Sequence, residues 1–153
     1  MNKLLVSVLT VGVLGLAATA QANTEACAVT NEKEIAALFD RWNASSKTKD
    51  ADKVVANYAA DGVLLATVSN KPRTNHAEIK DYFVHFLQKE PQGVINTRTI
   101  KIDCNMAMDA GTYTFTLKGG QVVPARYTYV YRYLDGKWLI ANHHSSAMPE
   151  KMQ

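Results

Sequence analysis

The stretch Ala125–Pro149, ARYTYVYRYLDGKWLIANHHSSAMP, decides how this chain folds. Aromatic residues alternate with others from Ala125 to Tyr133, and Asp135-Gly136 then supplies a turn. A second run carries Trp138, Ile140, His143 and His144. Two such runs around an Asp-Gly pair read as a β-hairpin. Tyr127, Tyr129, Tyr131 and Tyr133 fall on one face of its first strand, because strand side chains alternate. A face with apolar rings and polar tips suits the wall of a small-molecule pocket. It also suits plain cross-strand packing.

Upstream of the hairpin, Gly119-Gly120 turns into the long strand Gln121–Leu134. Thr112–Leu117 is a strand with Tyr113, Phe115 and Leu117 on its apolar side. Val94–Cys104 is another, with Val94, Asn96, Arg98, Ile100, Ile102 and Cys104 on one face. Before Gly93 the period becomes helical. Asn31 with Glu34 opens a helix carrying Ile35, Leu38, Phe39 and Trp42 at i, i+3, i+4 and i+7. Asp50 caps a shorter helix with Val54, Val55 and Tyr58 that stops at Asp61-Gly62, and Val63–Val68 reads as a strand. Asn75 with Glu78 starts a third helix, with Ile79, Tyr82, Phe83, Phe86 and Leu87, closed by Pro91. The order α-α-β-α-β-β-β-β implies an α+β domain, a curved antiparallel sheet wrapped around three helices to leave a cone with a mouth.

Residues 1–22 carry Lys3, the apolar run Leu4–Leu16 and the small-residue site Ala20-Gln21-Ala22, the anatomy of a secretory signal peptide. An uncleaved anchor is the weaker reading, since the run is short for a span and holds Ser7, Thr10, Gly12 and Gly15. Cleavage leaves a single domain, residues 23–153, expected in the periplasm or outside the cell with no further membrane segment. Without Lys3, 17 − 1 = 16 basic residues face 14 acidic ones, and no Lys/Arg stripe points to nucleic acid. Cys27 and Cys104 are the two cysteines, and in an exported chain they read first as a disulfide, otherwise as two buried thiols. His143 and His144 are strand neighbours aimed at opposite faces, so they cannot share a metal ion, and no metal is expected. No G-x-G-x-x-G occurs, and no cofactor is expected.

The order of elements, Tyr82-Phe83 in the third helix and the ending YVYRYLDGKWLIANHHSSAMP resemble the nuclear transport factor 2-like superfamily. Within it the chain is similar to the calcium/calmodulin-dependent protein kinase II association-domain branch and its bacterial SnoaL-like relatives. The resemblance spans about Asn31 to Pro149 and implies a cone-shaped α+β fold with a deep pocket, commonly dimeric. It covers enzymes, among them dehydratases and isomerases, beside members without known catalysis, so fold does not settle function. The association domain carries arginines deep in its pocket, and the positions that match them here are Phe115, Tyr129 and Ser145. Arg98 or Arg126 is left to replace that charge.

The inward set depends on the turn. A two-residue loop at Asp135-Gly136 pairs Tyr127 with His144, whereas a three-residue loop Leu134-Asp135-Gly136 pairs Tyr127 with His143. The longer loop is preferred, because it puts positions 129 and 145 on one face as the resemblance requires. The pocket wall is then Tyr127, Tyr129, Tyr131, His143 and Ser145, facing Tyr113 and Phe115. Trp138, Ile140 and His144 lie on the other side of the sheet, where a second copy would cover them. Arg98, inward-looking, needs an acidic partner or a ligand anion. Asp103 is the mid-sheet acid and faces outward, which weakens any carboxylate-based enzyme reading.

Three functions remain open. The first is an exported domain binding a small polar or anionic ligand through Tyr113, Tyr127, Tyr129, Ser145 and Arg98 or Arg126. The second is a cofactor-independent dehydratase or isomerase with His143 as general base beside Tyr113 or Tyr129. The third is a homo-oligomeric assembly module. Expressed with its leader, the chain should give a non-reduced mass equal to residues 23–153 less two hydrogens. An intact N-terminus, or two free thiols in oxidised material, would overturn that expectation.

Overall fold

A computed structural model describes residues 26–149, Val68 excepted. The expected signal peptide lies outside the described residues. Among these, no helix is long and apolar enough to cross a membrane. The elements are α1 (Glu32–Lys47), α2 (Ala51–Val55), β1 (Tyr58–Leu65), α3 (His76–Phe86), β2 (Gln92–Asp103), β3 (Met106–Thr116), β4 (Val122–Leu134) and β5 (Lys137–Ala147). The three helices start where Asn31, Asp50 and Asn75 accept hydrogen bonds from first-turn amides, which satisfies donors that a helix start leaves open.

The strands form a five-stranded sheet ordered β1-β5-β4-β3-β2. The fold is therefore the expected α+β one, with one change: β1 runs parallel to β5, so the sheet is not wholly antiparallel. Its inner face carries Tyr113, Tyr127, Tyr129, Tyr131 and Ile140, packed against Ile35, Phe39 and Trp42 of α1 and Ile79 and Phe83 of α3. The second helix ends earlier than its apolar pattern suggests, and Tyr58 belongs to β1. Asn57 explains the stop: its side-chain amide donates to the Lys53 and Val54 carbonyls at 3.0 Å, closing the helix end. Its own carbonyl then accepts from the Ile140 amide at 2.8 Å, which draws the chain into the sheet.

Two bulges set which residues look inward. Between Ile95 and Thr97 the pairing of β2 with β3 slips, so Ile95, Arg98 and Ile100 face in while Val94 stands 63% exposed. The expected single face running through Val94 and Asn96 is thus broken at the bulge. The hairpin turn is the two-residue Asp135-Gly136 loop, with φ of 48° and 79° and Leu134 paired to Lys137, rather than the longer one. A slip on β5 then pairs Val130 with Asn142 but Tyr131 with Ile140, leaving Ala141 as the extra residue. Tyr127 pairs with Ser145 and Tyr129 with His143, so His143 and Ser145 face inward as expected, through a different register. Below the bulge the parity reverses. Ile140 is 1% exposed and Trp138 packs on Tyr133, both on the inner side, where an outer position was expected.

Cys27 and Cys104 form a disulfide with Cα atoms 4.7 Å apart, pinning the arm before α1 to the β2–β3 turn. The Ala28 amide donates to Asn105 Oδ1 at 2.8 Å beside it. Closing a loop of 77 residues stabilises a fold by about 2–4 kcal/mol, mainly by restricting the unfolded chain.

Gly111 sits opposite the β2 bulge, and a Cβ there would lie 2.0 Å from the Thr97 carbonyl oxygen. Alanine in a strand normally gains on glycine by lowering unfolded-chain entropy. Here the clash should win, so Gly111→Ala should lose about 1–3 kcal/mol in urea unfolding. Equal or higher stability would show that the bulge tolerates a side chain.

Candidate functional site

Helix α1 crosses the middle of the inner face and divides its polar residues into two groups. Phe39 and Trp42 lie over Tyr129, with ring centroids 6.2 Å away in each case. On one side, between the sheet and α3, is a cavity of about 130 Å³. Its walls are largely aromatic, led by Trp42, Phe83, Phe86 and Phe115. Tyr113, Ser145, Thr67 and His143 supply its polar lining, and Lys89 and Gln121 stand exposed on the solvent side.

His143 is 4% exposed, and its ring stacks on Tyr129 with centroids 4.1 Å apart. Its Nδ1 is 2.9 Å from the Tyr58 hydroxyl. Its Nε2 is buried with no hydrogen-bond partner among the described residues. Burial, and then the neighbouring His144, push its pKa from 6.5 to about 3, so the ring is neutral. Among the described residues the Tyr58 hydroxyl has no other acceptor within reach, so its proton is best placed on this bond. Nδ1 then accepts, and this network assigns the ring proton to Nε2. The unpartnered nitrogen of this cavity-lining residue is then an N–H donor.

Two residues along β5, the Tyr113 hydroxyl donates to Ser145 Oγ at 2.5 Å, and Ser145 in turn contacts the Thr67 hydroxyl. Tyr113 is fully buried, and that burial raises its pKa well above the ordinary tyrosine value. It acts as a neutral donor rather than as a base.

The second group lies on the other side of α1. Asp109 is 0% exposed, accepts from the Tyr127 hydroxyl at 2.8 Å, and has Arg98 Nε at 3.2 Å from Oδ1 and 3.0 Å from Oδ2. The angles make the Oδ1 contact the hydrogen bond and leave Oδ2 with the ion pair alone. Burial raises the Asp109 pKa, opposed by the Tyr127 bond and the Arg98 charge. Arg98 also reaches the Ala36 carbonyl of α1 at 3.4 Å, so its charge is answered within the protein.

Of the residues singled out from the sequence, His143, Tyr113 and Ser145 therefore meet around the cavity. Tyr129 supports His143 from behind, and Tyr127 and Arg98 belong to the Asp109 group. Arg126 is on the opposite face, bonded to Ser146 Oγ at 3.2 Å and to the Ala147 carbonyl at 3.3 Å. Alternation from buried Ala125 and Tyr127 turns it outward. Asp109 corrects the expectation that no strand acid faces inward. Counting back by two from Tyr113 through Gly111 would have found it, had β3 been started at Met106. Tyr58 and Thr67 were missed because their partners are 85 and 78 residues away.

Comparison with protein families matches residues 31–149 to the calcium/calmodulin dependent protein kinase II association domain. Among solved structures, the chain is similar to a Xanthomonas campestris protein assigned to that same association domain. The two are 52% identical, with 86% of this chain and 99% of that one covered and a TM-score of 0.76. A Nostoc punctiforme protein of unknown function with a cystatin-like fold matches at 18% identity, covering 82% and 97%, with a TM-score of 0.69. A nuclear transport factor 2-like protein of unknown function from Pseudomonas putida matches at 20%, covering 78% and 87%, with a TM-score of 0.68. The last two show likeness of fold alone.

His143 also makes stability depend on pH. Its folded pKa lies below its unfolded one, so between pH 6.5 and about 3 the unfolded chain takes up a proton that the folded one refuses. Its contribution is complete above pH 6.5 and is lost as pH falls. Urea unfolding of wild type against His143→Gln should show wild type losing up to one proton's worth more stability, about 1.4 kcal/mol per pH unit below pH 6. Parallel pH profiles would place a charged imidazole in the fold.

Proposed function

The chain belongs to the calcium/calmodulin dependent protein kinase II association domain family, and from that premise we propose an exported domain that binds a small polar or anionic molecule in the cavity beneath α3. The observation that carries this reading is the buried Nε2 of His143, a residue of the cavity wall, which has no hydrogen-bond partner among the described residues. A buried polar group without a partner costs about 1–3 kcal/mol, which a ligand acceptor or an ordered water recovers. The leader-like residues 1–22 and the Cys27–Cys104 disulfide support export to an oxidising compartment.

A cofactor-independent dehydratase or isomerase is the competing reading. It needs a base facing the cavity, whereas the tautomer set by Tyr58 presents a donor. The buried carboxylate that such chemistry favours, Asp109, is held by Tyr127 and Arg98 behind α1. Self-association is part of the proposal, supported by the association-domain family itself. Its surface would be the outer sheet face, where Met108, Val130 and Leu139 lie half-buried among Thr99, Thr114 and Thr128.

Methyl-labelled protein screened by NMR with a polar fragment set should show shifts at Leu64 and Leu117 of the cavity and none at Leu139. His143→Ala should weaken those fragments roughly 5- to 20-fold, the loss of one hydrogen bond. Light scattering at micromolar concentration should give at least twice the chain mass. Shifts confined to the outer face would overturn the binding reading, and a strict monomer the association.

A further inference from the structure

The cavity is polarised along its depth. His143, Tyr113 and Ser145 of its lining are buried and Thr67 is half-buried, and none of them is charged. Lys89 is the single charged residue on the lining among the described residues. It stands exposed at the opening and also walls the adjoining surface depression with Arg73, His85 and Asp81. Lys89 makes no ion pair or hydrogen bond among the described residues, although its neighbour Glu90 is engaged by both Lys49 and Lys118. Arg73 is committed to Ser69 and the Lys71 carbonyl and lies 4.8 Å over the Tyr82 ring.

This arrangement sorts the ends of any ligand. A carboxylate pushed to the buried end would lose its water with no cation to replace it, an unfavourable exchange. An uncharged acceptor oxygen suits that end, because His143 Nε2–H has no acceptor among the described residues. The middle suits a flat ring. Trp42 with Phe115 and Phe86 with Phe115 already meet edge to face, at 68° and 88°, the geometry in which rings pack favourably. The volume of about 130 Å³, a little below the roughly 150 Å³ of an apolar cavity that holds benzene, limits the occupant to a single ring.

Building on the binding reading above, we propose that the ligand is a small aromatic acid with oxygen at both ends. Its ring lies among Trp42, Phe86 and Phe115, an uncharged acceptor oxygen meets His143 Nε2–H, and its carboxylate remains at the mouth on Lys89. The acid is bound with its charge outward, a polarity set by one lysine.

Calorimetric titration of the exported, oxidised protein with three probes tests this: 4-hydroxybenzoate, 4-hydroxybenzamide and benzoate. The hydroxy-acid should bind tightest. The amide should be 5- to 20-fold weaker for want of the charge, and benzoate 5- to 20-fold weaker for want of the inner oxygen. Lys89→Met should abolish the preference for acid over amide without weakening the amide, and Lys137→Met, at the far turn, should preserve it. Acid and amide binding alike, benzoate matching the hydroxy-acid, or Lys89→Met weakening acid and amide equally would each overturn the two-ended orientation while leaving cavity binding intact. Silence from all three probes while other fragments still shift Leu64 and Leu117 would overturn the aromatic class alone. Absence of any fragment at those methyls would remove the binding reading on which the orientation rests.

Discussion

One extra residue on β5 decides which side chains this domain turns inward. A strand's side chains alternate, so a register with no insertion would turn His143 and Ser145 outward below a two-residue Asp135-Gly136 turn. The bulge at Ala141 lets both ends of β5 satisfy the core. Trp138 and Ile140 pack inward near the turn, and His143 and Ser145 face inward beyond it. The neighbouring strand accommodates the same irregularity, because the pairing of β1 with β5 also slips between Tyr58 and Val63. Gly62 fits there because a Cβ would lie 2.9 Å from the Ile140 carbonyl oxygen.

With that register in place, α1 partitions the inner face into two environments of different chemistry. Behind it, Asp109 and Arg98 form a half-shielded ion pair completed by Tyr127. The desolvation of such a pair offsets much of its attraction, so it adds less to stability than its short distances suggest. In front of it, the polar groups are neutral: a histidine too deeply buried to charge and tyrosines too buried to ionise. Neutral polar groups line the aromatic chamber, and the one charged residue on its lining among the described residues, Lys89, stands exposed.

The outer face of the sheet differs from the one expected. Placing Trp138 and Ile140 inside removes the large apolar residues that would have demanded a cover, and leaves threonine-rich rows such as Thr97 bonded to Thr112 at 2.8 Å. Association across such a face would rely on polar complementarity around Met108, Val130 and Leu139 more than on a wide apolar patch.

The sequence by itself determined the α+β class, the three helix starts, the strand-rich second half and the hairpin at Asp135-Gly136. Each is a local matter of period, cap chemistry or turn chemistry, legible within a few residues. It also brought forward His143, Tyr113 and Ser145 and the Cys27–Cys104 pair. Only the tertiary structure decided the bulges at Ile95–Thr97 and Ala141, the start of β1 at Tyr58, and the split between cavity and ion pair. A bulge carries no necessary residue signature, and its position follows from what both faces and both neighbouring strands can pack at once. Asp109 stayed hidden for the same reason. A charged residue inside a strand looks like solvent surface until the arginine and tyrosine that answer it, 11 and 18 residues away, are brought alongside.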